Sequence, residues 1–296
     1  MSHWDPALNA LPSDAPGVFG PESFRDYLER TGADPSDYRT AGELSIDTRR
    51  QLDDRLRAAE TTVLRLGRAP DGSGTQFALV HVPRRLDDFY LDESTFEADD
   101  RRVFDYRPDS ADRSELSATA TDALEVYRAL PTLSETSIVD LGLSTQILPW
   151  ALDLADEDGA ATTAASVTTV QSTFAFSFDP HPACGATLRH RDGQVELDAV
   201  VPPRRDDDRL FVVIEAKRCR PRALAKHKLL YPALAAAGWA PDRFDRVVPV
   251  FLRARRDDEG LNYSVYECSS VPTADDEMVC LAALTVERDR HCRVLL

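Results

Sequence analysis

Lysine is nearly missing from this chain of 296 residues: Lys217, Lys226 and Lys228 stand among 35 basic side chains, the remainder arginine. The five cysteines, at 184, 219, 268, 280 and 292, are odd in number and form no Cys-x-x-Cys pair, so neither a disulfide framework nor a zinc knuckle is indicated. No window approaches the roughly 18 to 20 apolar residues that a membrane-crossing helix needs, and the opening MSHWDPALNALPSD has no basic stretch followed by an apolar one. A cytoplasmic protein with no membrane partner is expected. Serine nucleophile elbows, phosphate loops of the Gly-x4-Gly-Lys type, dinucleotide fingerprints and internal repeats are also absent.

Acid is what the chain has in excess, with 51 carboxylates and a formal net charge of −16. Dense carboxylates keep a surface hydrated in concentrated salt, so the composition reads as halophilic and its overall sign says little about partners. The distribution is more informative. Residues 1–160 carry 32 acids against 16 arginines, whereas residues 161–270 carry 14 acids against 16 bases and hold all three lysines. A segment that reaches neutrality on such a background points to an anionic ligand.

Residues 1–115 read as an acidic α+β region, with helices over PESFRDYLERTG, from Pro21, and SIDTRRQLDDRLRAAE, and a hairpin around PDGSG. Residues 116–160 read as a helical segment, its second helix opening at Ser134 and covering SETSIVDLGLSTQILPWALDLA; DEDGAATTAA at 156–165 reads as a linker. Residues 161–296 turn to strands: SVTTVQSTFAFSFD, QVELDAVV and RLFVVIEAK, then a helix over PRALAKHKLLYPALAAAG kinked or ended at Pro232, then RVVPVFLRA and LNYSVYEC. Three consecutive strands favour an antiparallel meander, and the helix before the fourth allows a parallel crossover. The fold expected is α/β, a mixed sheet flanked by helices.

In VELDAVV the period of two sets Glu196 and Asp198 on one face, and in LFVVIEAK it sets Glu215 and Lys217 together at the end of an apolar run. Charged groups at the tip of a buried strand are costly unless they meet a partner or ligand. If the two strands pair, Asp198 and Glu215 approach across the sheet as a hard-oxygen site suited to Mg2+. Lys217 beside them can orient a water or offset charge on a phosphate oxygen.

Asp198, sixteen intervening residues, and then Glu215-Ala216-Lys217, on two such strands with a helix following, resembles the PD-(D/E)XK superfamily of restriction-endonuclease-like nucleases. The resemblance implies that Asp198 and Glu215 ligate Mg2+ or Mn2+, that Ala216 adds its carbonyl, and that Lys217 is catalytic. Leu197 stands where the family name has Pro. The next helix, where members often carry Gln followed by Tyr, offers His227, Lys228 and Tyr231, and Glu196 is the candidate replacement for the family's upstream helical Glu. Arg218, Arg220, Arg222 and Lys226 form a cationic run whose expected partner is nucleic acid, DNA above all. The acidic N-terminal region is a candidate surface for a homodimer or a protein partner. The competing readings are a catalytically inactive nuclease-like binding module and a regulator with a helix-turn-helix at 119–155, although that stretch lacks a basic recognition helix. His181, Cys184 and His190 read as incidental rather than as zinc ligands.

Overall fold

The computed structural model describes residues 2–154, 167–201, 204–205, 208–218, 223–240, 244–273 and 278–296. The expected linker at 156–165, and Arg220 and Arg222, lie outside the described residues. In chain order the elements are α1 (Asp5–Ala10), β1 (Gly17–Ser23), α2 (Phe24–Thr31), α3 (Thr40–Leu44), α4 (Asp54–Ala58), β2 (Thr61–Arg68), β3 (Thr75–His81), β4 (Tyr90–Asp92), β5 (Asp100–Asp105), α5 (Ala111–Ser114), α6 (Ala118–Ala129), α7 (Glu135–Ser144) and α8 (Ile147–Ala151). They continue with β6 (Val167–Phe178), β7 (Leu188–Val201), β8 (Arg204–Arg205), β9 (Asp208–Lys217), β10 (Ala223–Ala225), α9 (His227–Ala237), β11 (Arg246–Arg256), β12 (Gly260–Cys268), β13 (Val271–Pro272) and β14 (Val286–Leu295).

The architecture is mixed α/β: a 12-stranded sheet with the path β1-β3-β2-β7-β9-β11-β12-β14-β5, flanked by helices, and a small sheet of β10 with β4. The meander exists, since β6 and β7 are antiparallel and β7 and β9 are antiparallel. After α9 the chain returns as β11, parallel to β9. Strand β9 is buried on both faces, as its unbroken apolar run requires. Phe211 and Val213 enter one core with α9, while Leu210, Val212, Ile214 and Ala216 enter the other with α7 and α8. The sheet runs on across residues 115 and 160, because β5 pairs with β14 and β2 meets β7.

Several helices begin or break elsewhere than the pattern suggested, each for a local reason. Residues 17–23 pair with β3, so the helix expected from Pro21 starts at Phe24, where the Ser23 hydroxyl accepts from the Asp26 amide. The stretch 45–60 splits because Thr48 and Gln51 form a capping box and Asp53 caps α4. The Ser134 cap is present, but Gln146 takes a left-handed φ of 63° and separates α7 from α8. Ala223, Leu224 and Ala225 pair with β4 as a strand, so α9 begins only at His227, and it runs through Pro232 without ending there. Strand β14, which alternation in a charge-rich stretch did not reveal, carries β5 at the far edge.

Strand β7 joins the N-terminal hairpin to the rest through one bridge, Gly67 to Arg191. Gly67 has φ +81°, and a Cβ there would strike the Arg191 carbonyl; a Cβ on Gly193 would lie 2.5 Å from the Gly67 Cα. Gly72 has a similar φ of +78° but open space around it. Replacing each with alanine therefore separates backbone strain from crowding. Gly67→Ala should lose about 1–3 kcal/mol more than Gly72→Ala in chemical or thermal denaturation, and equal losses would contradict the close approach of the two strands.

Candidate active site

Strands β7 and β9 pair over a short stretch, Ala199 with Ile214, Val200 with Val213 and Val201 with Val212. One step further along that register stand Asp198 and Glu215, opposite each other and on one face. Asp198 Oδ2 accepts the Ala216 amide at 2.8 Å, so the carboxylate takes up a backbone donor at the point where the ladder stops. Lys217 then reaches back over the pair. Its ammonium lies 2.8 Å from Glu215 Oε1 and 4.0 Å from Asp198 Oδ2. A third carboxylate completes the group, Glu135 Oε2 at 3.5 Å from the same nitrogen. Glu135 is the first residue of α7, whose N-terminus is capped by Ser134, and the sequence pattern did not single it out.

Burial sets the electrostatics. Glu215 is 9 % exposed, and loss of water pushes its carboxyl up to about 7 despite the Lys217 ammonium, with Asp198 adding to the rise. For Lys217 burial works downward, but the Glu215 carboxylate, helped by Asp198 and Glu135, outweighs it and holds the ammonium above its ordinary value. Lys217 is therefore a fixed cation rather than a base at neutral pH.

These side chains line a cavity of about 410 Å3. Gln194, Glu196 and Asp198 line it from β7, His227, Lys228, Tyr231 and Pro232 from α9, and Leu44, Ser45, Asp47 and Arg65 from the N-terminal region. All four auxiliary candidates thus line the cavity. Lys228 pairs with Asp47 at 2.7 Å, and although burial alone would raise the Asp47 carboxyl, this pair holds it below its usual range. His227 is 7 % exposed and burial lowers its imidazole to about 3, so it is neutral. Tyr231 is 7 % exposed, with its hydroxyl buried and unpartnered among the described residues.

The cationic run behaves differently from its reading as a surface patch. Lys226 is 6 % exposed and donates to the Ala282 carbonyl at 2.7 Å, so it is a core contact and not a group for nucleic acid. The expectation is corrected because the chain enters as strand β10, turning this lysine inward. Arg218 is exposed and donates to the Leu133 carbonyl. It shares a second cavity, of about 350 Å3, with Arg255 and Arg256 from the end of β11, and among the described residues no carboxylate lines it. Parallel pairing puts Lys217 beside Arg253, which carries the arginine-rich end of β11 to the tip of β9. Arg255 and Arg256 were legible as charges but not as neighbours.

The donor set fits a hard divalent cation. Two carboxylates and the Ala216 carbonyl are oxygen ligands of the kind Mg2+ takes while keeping several waters. Among the described residues no group of three or more His, Cys, Asp or Glu side chains is arranged to hold a metal, so an all-protein cage of the zinc type is not present there. His181 instead meets Asp88 at 3.1 Å, and His190 stacks on Phe176 with centroids 4.6 Å apart.

The raised Glu215 carboxyl has a stability consequence with a definite sign. The folded protein holds this proton to higher pH than the unfolded chain, so this group's contribution falls as pH rises from the ordinary glutamate range to about 7 and levels off above it. A pH titration of the metal-free protein by carboxyl infrared or carbon-13 NMR should find the Glu215 midpoint near about 7. Lys217→Met should move it higher still, and a Glu215 that titrates with the ordinary carboxylates would contradict the burial.

No curated protein matches this chain. A family model matches residues 100–271, which takes in Glu135, Asp198, Glu215, Lys217 and the whole of α9 but leaves out Asp47 and Arg65, and the chain belongs to that family, a domain of unknown function (DUF6997).

Proposed function

We propose that the protein is a divalent-cation-dependent nuclease of the restriction-endonuclease-like class, hydrolysing phosphodiester bonds in DNA. The observation that carries the reading is one ammonium, Lys217, within 4.0 Å of three carboxylates, two of them on neighbouring strands, all lining one cavity. The run α7, β6, β7, β9, α9, β11, with antiparallel steps followed by a parallel return, agrees with the element order that the sequence resemblance implies. The cavity beside it, lined by three arginines and by no carboxylate among the described residues, suits a polyanion.

Asp198, Glu215 and the Ala216 carbonyl would hold Mg2+ or Mn2+, whose charge polarises a phosphoryl oxygen and acidifies a water. The rest of the work falls to the chain's own groups. Lys217, kept protonated by its three carboxylates, orients the attacking water and offsets negative charge growing on the phosphoryl oxygens. Glu135 accepts from the Lys217 ammonium and fixes its direction. Asp198 is itself fixed by the Ala216 amide.

Cleavage of plasmid, linear and branched DNA with Mg2+ or Mn2+, in dilute and in molar salt, tests the reading. Asp198→Asn, Glu215→Gln and Lys217→Ala should each lower the rate by at least about 100-fold, on the scale of single groups that stabilise a transition state. Glu135→Gln should lower it less, because it positions Lys217 without touching substrate. Folded wild-type protein that cuts nothing, yet binds DNA, would instead establish a catalytically inactive binding module; variants that cut at the wild-type rate would locate the chemistry elsewhere.

A further inference from the structure

The cavity runs along β7, with Asp198, Glu215 and Lys217 toward one end and Arg65 of β2 toward the other. Gln194, Glu196 and Asp198 alternate along one face of β7, so at about 3.3 Å of rise per residue its floor runs roughly 13 Å from Gln194 to Asp198. Lys217 and Lys228 are each matched by carboxylates. Arg65 is not: its Nη1 donates to the neutral Ser45 hydroxyl at 3.2 Å, and no carboxylate is bonded to it among the described residues. A guanidinium has five donors in a fork that fits phosphate, so most of this one remains available in the cavity. Between the two ends the wall is aromatic. The His190 and Tyr231 ring centroids lie 5.3 Å apart, and the buried Tyr231 hydroxyl has no partner among the described residues.

We propose that this groove is a slot for single-stranded nucleic acid, in which Arg65 of the N-terminal hairpin holds another phosphate of the strand whose scissile phosphate is presented to Asp198, Glu215 and Lys217. The proposal deepens the nuclease reading and rests on its nucleic-acid half. A volume of about 410 Å3 lies within the roughly 300–1,000 Å3 of small-ligand pockets. A duplex, whose major groove alone is about 12 Å wide, does not enter such a space, whereas an unpaired base can stack on an aromatic wall. The N-terminal wall is firmly attached, since the Asp47 carbonyl accepts the Ala225 amide at 2.9 Å and β4 pairs with β10 immediately before α9. The acidic first region thereby acquires a role: it narrows the catalytic groove and supplies the cation at its far end.

The test uses the full chain, with a fluorescent single-stranded oligonucleotide and its duplex as probes, in the non-cleaving Asp198→Asn background for binding. Arg65→Ser should weaken single-strand binding about tenfold and reduce the slope of log affinity against log salt by about 0.7, one phosphate contact on a single strand. Duplex binding should not change, and Arg65→Lys should restore part of the loss while both variants keep the parent's melting temperature. In the cleaving protein Arg65→Ser should raise KM with kcat retained, and single-stranded or frayed ends should be preferred over internal duplex. An unchanged single-strand slope, or a preference for duplex, overturns the slot; if Asp198→Asn still abolishes cleavage, the nuclease reading survives that result. Single-strand binding that depends on Arg65 without any cleavage supports the slot and overturns the nuclease reading.

Discussion

The candidate site depends on where two strands part. β7 and β9 pair for three residues each, and beyond Ala199 and Ile214 the ladder ends while β7 continues beside β6 toward its bridge with Gly67. A buried amide left at such a point is costly, and the Asp198 carboxylate takes the Ala216 donor. That bond orients Asp198 beside Glu215, and the wedge opened by the parting strands becomes the cavity. The crowding at Gly67 and Gly193 holds the other end of β7 against the hairpin, so the same strand sets both the carboxylates and the N-terminal wall.

Two buried ion pairs elsewhere in the molecule are matched by directed hydrogen bonds. Glu93 accepts from Arg253 Nε at 2.5 Å and from the Tyr266 hydroxyl at 2.9 Å, while Arg253 also donates to Ser264 at 2.7 Å. Arg205 meets Glu267 through both of its terminal nitrogens, at 2.6 and 2.7 Å. These pairs join distant segments to the sheet and keep their charges satisfied. The cluster around Lys217 is of another kind: one cation serves three carboxylates, and one of them, Glu215, is held near neutrality at about 7. An excess of negative charge at the end of an accessible cavity is what a divalent cation would complete.

Asp198, Glu215 and Lys217 were legible because they rest on local rules: a period of two, an apolar run that must be buried, and a meander that sets one strand against the next. The hairpin at 61–81 and the parallel return of β11 followed from the same kind of rule. Glu135, Asp47 and Arg65 were not legible, since nothing within a few residues of them says which distant strand they face. Lys226 failed in the opposite direction. As a charge it looked exposed, but the backbone of Ala223 to Ala225 was claimed by β4, and that pairing turned the lysine toward the Ala282 carbonyl. Pro232 was read as a kink or an end of the helix; α9 runs through it, packed on β9 and β11, and this packing outweighs the loss of one amide donor.

The proposed chemistry stands on a cation site at the parting of β7 and β9. Its most direct measurement is a crystal of the full chain soaked in Mn2+, with anomalous diffraction recorded at the manganese edge. The expected result is a peak bounded by the Asp198 and Glu215 carboxylates and the Ala216 carbonyl, at about 2.1 to 2.5 Å from their oxygens, that disappears in Asp198→Asn. Manganese bound elsewhere in the molecule with this position empty, and Lys217 still paired with Glu215, would contradict it.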